Sequence, residues 1–257
     1  MTGSDFAELP PFVILGATGA VGQELARRLH ARGAKLRLIA RDADKLSALQ
    51  AELGAAAAGS ADSIETTLLE ASDPASIQAA VLEANQAGPC SGIAHCIGSL
   101  LLKPARSTSF EEWHEVLETN LSSAFAVTTA APKVMKQGGS VVFCSSVAAS
   151  LGLANHEAIA AAKAGLVGLA RAASASNVRR NLRFHCVAPA LVDSQMTESL
   201  LSREGMREAA AKQNPLGRIG TPKDVANAIL FLLDPDNDWI DAQVLGVDGG
   251  YGVLRPL

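Results

Sequence analysis

Short apolar runs alternate with longer, more polar segments along most of this 257-residue chain. The runs are dominated by Val, Ile, Leu and Ala, which is typical of strands that are covered on both faces of a parallel sheet. Alternation of such strands with amphipathic helices predicts an α/β fold. The runs that predict strands lie at residues 12–15, 35–40, 64–71, 92–97, 141–144, 182–188 and 243–250.

The first apolar run ends in the glycine-rich segment GATGAVG (residues 16–22), and the amphipathic segment QELARRLHARG follows. A strand, a glycine turn and a helix in this order are the context in which a dinucleotide is bound. Gly16 permits the tight turn, Gly19 lets the backbone approach a pyrophosphate, and Gly22 allows close helix–strand packing. The phosphates would meet free N–H groups at the helix N-terminus. An ordinary turn is the alternative, whereas a Walker loop is excluded because no Gly-Lys-Ser/Thr follows.

Composition narrows the class of protein. A hydrophobic fraction of 48% indicates a large core, and a net charge of −4 argues against nucleic acid as the main partner. No uncharged apolar run approaches the roughly 18 residues of a membrane span. The acidic segment 1–11 contains two prolines, so we expect a flexible N-terminus rather than a secretory signal.

The four cysteines occur without a CxxC pair, and three of them fall inside apolar runs. Buried thiols in a reducing compartment are therefore favoured over zinc or disulfide sites. We accordingly expect a cytoplasmic protein without a metal site.

Residues 139–170, GSVVFCSSVAASLGLANHEAIAAAKAGLVGLA, predict a buried strand, a serine pair, a loop and an Ala-rich helix. This segment closely resembles the active-site segment of the short-chain dehydrogenases/reductases, which has the order Ser, Tyr, Lys. Ser146 stands thirteen residues before Ile159, which stands four before Lys163, so Ile159 occupies the position of the tyrosine. The serine and the lysine are kept and the proton donor is missing.

The resemblance extends from about residue 12 to 251 and includes the C-terminal segments NPLGRIGTPKDVANAILFLL and QVLGVDGG. It implies one domain over residues 1–257, a single Rossmann-type doubly wound parallel sheet of about seven strands flanked by helices. The glycine loop departs from the family's TGxxxGxG at Leu15 and Ala20, although its spacing is kept.

Cofactor preference depends on the tip of the second strand. By alignment to the family, Ala40 holds the position where an NAD enzyme has a carboxylate, and Arg41 follows it. A guanidinium suits the 2′-phosphate of NADP, so NADP is favoured, while Asp42 keeps NAD open as the alternative. The resemblance implies the cofactor-binding set Gly16, Thr18, Gly19, Val21, Gly22, Arg41, Asp73, Gly98, Lys163, Pro189 and Val192. Asp73 would also cap the helix after it, and His95 is expected to be structural.

The resemblance implies that Ser146 polarises a substrate carbonyl, that Lys163 holds the ribose, and that Asn120 binds a water that links Lys163 to solvent. Ile159 offers no proton. His156 would share a helix face with Ile159 and Lys163, and imidazole relays protons near neutral pH. A surface histidine is the alternative interpretation, and Ser146 or a held water could carry the proton instead. The only tyrosine, Tyr251, is expected to lie outside the site.

Two functions stay open at this point. One is an NAD(P)-dependent oxidoreductase that acts on a carbonyl or an alcohol with altered acid–base residues. The other is a cofactor-binding protein without this chemistry, which would be a sensor, a scaffold or a subunit. Residues 195–213 predict a charged helix over an unidentified small-molecule substrate. The resemblance implies association through the helices equivalent to 110–136 and 158–176 and through the C-terminal strand, so we expect a homodimer or homotetramer, with no nucleic-acid or membrane partner.

Overall fold

A computed structural model of the chain describes residues 6–56, 63–69, 73–84, 88–203 and 205–255. Its seven strands form one parallel sheet in the order β3-β2-β1-β4-β5-β6-β7. The sheet therefore confirms the predicted doubly wound α/β class. The strands are β1 Phe12–Leu15, β2 Leu36–Ala40, β3 Ile64–Leu68, β4 Gly92–His95, β5 Gly139–Cys144, β6 Leu182–Pro189 and β7 Val244–Val247.

The central strands are buried because helices cover both faces of the sheet, as their apolar sequences predict. All residues of β1, β2 and β4 are buried, whereas the edge strand β7 is largely exposed. The strand order reverses between β1 and β4, which pair in register from Phe12 opposite Gly92 to Leu15 opposite His95. Open α/β sheets bind ligands at such a switch point, outside the carboxyl ends of the strands.

Two large apolar clusters form most of the core, and a smaller one surrounds Ile159. One contains residues of the helices α3, α5 and α6, such as Ile77, Val127 and Leu166. The other contains residues of α1, α2 and α9, such as Leu25, Leu46 and Ile229. The helices are α1 Ala20–His30, α2 Ala43–Gly54, α3 Pro74–Ala84, α4 Phe110–Leu117, α5 Ser123–Val134, α6 Glu157–Asn177, α7 Glu198–Leu201, α8 Met206–Gln213 and α9 Pro222–Leu233.

Two predicted segments differ from the structure. The expected flexible N-terminus does not include residues 6–8, because they form a 3₁₀ turn in which Phe6 is buried against Phe12. Residues 1–5 of that segment lie outside the described residues, as do residues 57–62 of the predicted surface connection. The helix predicted over 195–213 is two short helices, α7 and α8, because Gly205 adopts a positive φ of 72° that an α-helix does not contain.

One helical segment among the described residues, Glu157–Arg180, is long and apolar enough by composition to cross a membrane. This segment is α6 with the turn after it, and α6 packs against the sheet, with Leu166, Ala170 and Ala173 in the core. A core helix passes the same composition test, so the segment is weak evidence for a membrane span.

Candidate active site

A cleft of about 810 Å³ opens at the carboxyl ends of the strands, beside the switch point. It brings together residues from the glycine loop, the tips of the central strands, the start of α6 and the segment around α7 and α8. Most of the predicted site residues line it: Gly16, Thr18, Gly19, Val21, Gly22, Arg41, Gly98, Ser146, His156, Lys163, Pro189 and Val192.

The glycine loop is shaped for close approach of its backbone. Gly16 has a positive φ of 74°, and a Cβ there would lie 2.9 Å from the carbonyl of Cys96. A Cβ on Gly22 would collide with the carbonyl oxygen of Gly16, so this position requires glycine. Helix α1 begins after Gly19 with no side-chain cap. Its first N–H groups therefore have no side-chain acceptor of their own and can meet an anion.

A pair of basic residues lies at the tip of β2. Arg41 and Lys45 both line the cleft. Asp42, the carboxylate that kept NAD open, also lines the cleft, and it caps α2 by accepting from the backbone N–H of Lys45 at 3.0 Å. It also forms an ion pair with the Lys45 ammonium at 3.0 Å. These bonds lower the pKa of Asp42, and the backbone hydrogen bond is the largest contribution.

The serine pair and the lysine are held by short bonds between β5 and α6. The hydroxyl of Ser145 donates to the carbonyl oxygen of Lys163 at 2.8 Å. The ammonium of Lys163 donates to the carbonyl oxygen of Cys144 at 2.7 Å, and burial lowers its pKa. Ser146 accepts from the backbone N–H of Ala148 at 3.2 Å, so its hydroxyl proton remains available to a ligand in the cleft.

Asn120 lies in a π-helical turn, Glu118–Ser122, between α4 and α5. Its amide donates to Ser99 Oγ at 2.9 Å and to the Val116 carbonyl oxygen at 3.0 Å, and its oxygen accepts from the backbone N–H of Ser99. Asn120 Oδ1 and Lys163 Nζ would lie 3.1 and 3.4 Å from a Cβ on Gly98, so Gly98 separates them. Asn120 is buried and does not itself line the cleft.

Ile159 faces both the cleft and an apolar cluster. Only 3% of it is exposed, and it packs in the cluster that contains Val116 and Ala162. Its position, one helical turn before Lys163, is the one that the spacing predicts. No atom of this side chain can exchange a proton.

His156 does not lie on the helix, which corrects the predicted shared face. Helix α6 begins at Glu157, and His156 precedes it as the N-cap residue. The residue nevertheless lines the cleft, and its Nδ1 lies 2.8 Å from the carbonyl oxygen of Ala154. Because a carbonyl only accepts, Nδ1 carries the proton, and Nε2 of the neutral ring is a proton acceptor.

Two sequence-based placements differ from the structure. Asp73 is not among the residues that line the cleft, because its carboxylate caps α3 by accepting from the N–H groups of Ala75 and Ser76. The capping prediction is confirmed, and the adenine contact stays a prediction. Tyr251, expected outside the site, lines the cleft. It follows Gly249 and Gly250, whose positive φ angles turn the chain.

His95 has the structural role that was expected of it. It is fully buried, and its Nε2 lies 2.9 Å from Ser123 Oγ. Burial lowers its pKa to about 3, and the nearby Lys163 charge acts in the same direction. The ring is therefore neutral at physiological pH.

Sequence reasoning did not identify the two cysteines at the strand tips as site residues. Cys96 and Cys144 are half-buried and line the cleft, whereas Cys90 and Cys186 are buried in the core. A signal existed in the sequence, since Cys96 lies two residues before Gly98 and Cys144 directly precedes the serine pair. Their mutual register could not be read from the sequence.

The family model and the curated relatives that we compare with this chain are all described as reductases. A family model described as "Enoyl-(Acyl carrier protein) reductase" matches residues 16–252. The 3-oxoacyl-[acyl-carrier-protein] reductase of Escherichia coli is 31% identical over 242 residues, which cover 93% of this chain and 95% of the relative. A tropinone reductase homolog of Arabidopsis thaliana is 31% identical over 245 residues, with 94% and 91% covered.

Solved structures agree with the sequence comparisons. A variant of actinorhodin polyketide ketoreductase, crystallised with NADPH, superposes with a TM-score of 0.86 at 25% identity. The match covers 95% of this chain and 98% of the ketoreductase. The similarity therefore extends over the whole sheet and its helices.

Proposed function

This chain belongs to the short-chain dehydrogenase/reductase family, and we propose that it is an NADP-preferring oxidoreductase that interconverts a carbonyl and an alcohol without the family's tyrosine. Its relatives support the oxidoreductase type. One observation carries the finer proposal: the glycine loop, Arg41, Ser146 and Lys163 line one cleft. A cofactor-binding surface and a carbonyl-polarising hydroxyl therefore face the same space.

The residues present fit a dinucleotide. Gly16 forms a tight turn, and Gly22 has no room for a Cβ. The loop therefore presents its backbone, without side chains at these two positions, to the cleft. The N-terminus of α1 favours the pyrophosphate, and Lys163 would hold the ribose. When bound, the nicotinamide supplies or accepts the hydride.

The preference for NADP rests on charge. Arg41 offers a cation at the strand tip, whereas the carboxylate of Asp42 caps α2 and is paired with the Lys45 ammonium. A 2′-phosphate dianion would gain charge-assisted hydrogen bonds from Arg41. The similar ketoreductase solved with NADPH adds support.

The acid–base step would depend on the residues that remain. The Ser146 hydroxyl can donate to a carbonyl oxygen and stabilise the charge that develops there. Lys163 is fixed on the Cys144 carbonyl and holds a positive charge beside the same space. The proton would come from the His156 imidazolium at Nε2 or from a water near Ser146, since Ile159 cannot supply it. The outer wall, with Leu102, Leu153, Met196 and Leu200, favours a substrate with apolar flanks.

A second function, cofactor binding without turnover, is favoured by one observation. Ile159 is buried in an apolar cluster, so the acid position contributes packing in place of chemistry. Under this alternative the cleft binds NADPH and the protein serves as a sensor, scaffold or subunit.

The deciding experiment follows NADPH consumption on a panel of ketones with apolar flanks, alongside NADPH binding by fluorescence titration. The parent should turn over at least one ketone, and Ser146→Ala should reduce that rate by about 10²-fold, the effect of removing one donor to a developing oxyanion. His156→Ala should reduce it if the imidazole supplies the proton. A silent parent that binds NADPH with unchanged affinity in both variants would establish the second function.

Assembly and location are also proposed. Phe110 and Phe125 are 79% and 56% exposed on α4 and α5, and the edge strand β7 exposes Val244 and Leu245. We expect these apolar surfaces to be covered in a homodimer or homotetramer of a single-domain cytoplasmic protein. Sedimentation at micromolar concentration measures the oligomeric state, and a monomer would contradict this proposal.

A further inference from the structure

Two cysteines face each other across adjacent parallel strands at the floor of the cleft. Cys144 ends β5, and Cys96 directly follows β4; the register pairs His95 with Phe143, one residue before each cysteine. Their sulfurs lie 4.0 Å apart. Neighbouring strands are about 4.8 Å apart, within the Cα separation of about 4.4–6.8 Å that a disulfide spans. A small rotation of the two side chains would therefore bring the sulfurs to bonding distance.

The backbones of the two residues are fixed. The N–H of Cys96 donates to the carbonyl oxygen of Leu15 at 2.9 Å, and the carbonyl oxygen of Cys144 accepts from Lys163 at 2.7 Å. The pair is thus presented by rigid strand tips, and both residues line the cleft. Cys90 and Cys186 are only 2% and 0% exposed, and burial raises the pKa of each to about 12, so they serve as internal controls.

The surroundings of the two thiols shift their pKa values in opposite directions. The Sγ–Sγ hydrogen bond with Cys96, assisted by the Lys163 ammonium, lowers the pKa of Cys144 against the opposing effect of burial. The same hydrogen bond, together with burial, raises the pKa of Cys96. The lower pKa, together with the Lys163 ammonium bound to its carbonyl oxygen, favours Cys144 as the nucleophile and Cys96 as the thiol that resolves the oxidised intermediate.

We propose that Cys96 and Cys144 form a reversible redox site, which a hydroperoxide converts to a disulfide at the floor of the cleft. The Cys144 thiolate attacks the peroxide, the O–O bond breaks, and an alcohol or water leaves with a proton, so that Cys144 carries S–OH. The Cys96 sulfur then attacks that of Cys144, the S–O bond breaks, and water leaves with the Cys96 proton. The two thiols lose two electrons and two protons, which reduce the peroxide.

The first measurement uses the purified full-length protein, titrated with hydrogen peroxide and alkylated under denaturing conditions. Two of the four thiols should be lost together and recovered with dithiothreitol. Tryptic digestion should then join the peptides 46–106 and 137–163, which carry Cys96 and Cys144. Because the first peptide also holds Cys90, the mapping is repeated in Cys90→Ser, where the linkage should persist.

Matched variants assign the partners. Cys96→Ser and Cys144→Ser should each abolish the cross-link, whereas Cys186→Ser should leave it unchanged. A linkage through Cys90 or Cys186 would overturn the proposal. Oxidation of Cys144 to a sulfinic acid in the parent, without any cross-link, would also overturn it, because Cys96 would then not act as the resolving thiol.

A second arm tests the placement of the cofactor, which rests on the proposed function. NADP⁺ bound in the cleft would cover the two sulfurs and, being oxidised, would not consume peroxide. At about ten times its Kd it should slow disulfide formation about 10-fold, since only the free fraction reacts. A disulfide that forms at the same rate with saturating NADP⁺ would contradict the cofactor placement and leave the redox site intact.

Discussion

The glycine-loop side of the cleft and its acid–base side are constructed differently. The loop side depends on backbone geometry, on the positive φ of Gly16, the close packing at Gly22 and the open N-terminus of α1. The acid–base side depends on individual side chains. Our proposal places Ile159 at the position of the proton donor on that side. A scaffold set by backbone geometry can persist while the chemistry beside it changes, and the predictions below test that separation.

The largest expected effect comes from restoring a phenol. Ile159→Tyr should raise ketone reduction by about 10²–10⁴-fold, the usual contribution of a general acid. Lys163 lies one helical turn away and would stabilise the phenolate form. Initial rates with NADPH measure the gain, and Ile159→Phe, which adds the ring without the hydroxyl, should show none. Equal rates for the two variants would show that the cleft presents no carbonyl at this position.

A substitution in the glycine loop should act by disturbing the packing of its backbone. Gly22→Ala places a Cβ against the Gly16 carbonyl oxygen, and we expect a loss of about 1–3 kcal/mol in the free energy of unfolding together with weaker NADPH binding. Urea denaturation and NADPH titration measure the two effects. Gly168→Ala on α6 is the matched control, since its Cβ meets nothing within 4 Å and the helix should gain about 0.5–1 kcal/mol. Unchanged binding in Gly22→Ala would contradict the assigned role of the loop.

Acid should destabilise the protein through its buried histidines. Burial lowers the pKa of His95 to about 3 and that of His185 to about 4, below the value of about 6.5 in the unfolded chain. The unfolded state thus binds protons that the folded state does not. The contribution of the two neutral histidines to the free energy of unfolding is fully present above about pH 6.5. As the pH falls from there toward the folded pKa of each histidine, that free energy decreases by up to about 1.4 kcal/mol per pH unit for each.

Denaturation curves recorded between pH 7 and 4 separate the contribution of His95 from that of His185. His95→Asn, which cannot titrate, should show a smaller loss of stability over this range than the parent. The comparison of slopes is independent of any overall destabilisation that the substitution causes at pH 7. Identical slopes would mean that His95 is protonated in the folded protein.

The smallest effect concerns the cofactor preference. Arg41→Ala should weaken NADPH binding by about 1–2 kcal/mol and leave NADH binding nearly unchanged, because only the 2′-phosphate meets the guanidinium. Parallel titrations with the two nucleotides measure the difference. Lys45→Ala tests whether the second cation contributes. If the binding of NADPH and of NADH weakens equally in Arg41→Ala, Arg41 supports the loop and does not bind the 2′-phosphate.

The sequence predicts local features of this molecule well because they follow from local patterns. The strand runs, the glycine loop and the cap at Asp73 all depend on residues a few positions apart, and the structure contains each of them. The proximity of Cys96 to Cys144 depends on the register of two strands, and the approach of Tyr251 to the cleft brings together residues that lie far apart in the chain. Such long-range pairings leave no periodic signal.

The sequence pattern also does not show where some of the helices begin and end. Nothing in the pattern around His156 shows that α6 starts one residue later, because the apolar spacing continues across the boundary. The break between α7 and α8 could have been predicted at Gly205, because glycine readily ends or interrupts helices. Charged positions on either side concealed it.

The π-helical turn at Glu118–Ser122 has a consequence for chain length. Its defining bond, from Ser123 N–H to the Glu118 carbonyl oxygen, spans one residue more than an α-helical bond does. Deleting one residue here would restore a regular helix and rotate α4 by about 100° relative to α5. Val116 would leave the cluster around Ile159, and Asn120 would lose Ser99. The extra residue thus sets the phase between two helices, and a single-codon deletion should harm this segment more than a substitution does.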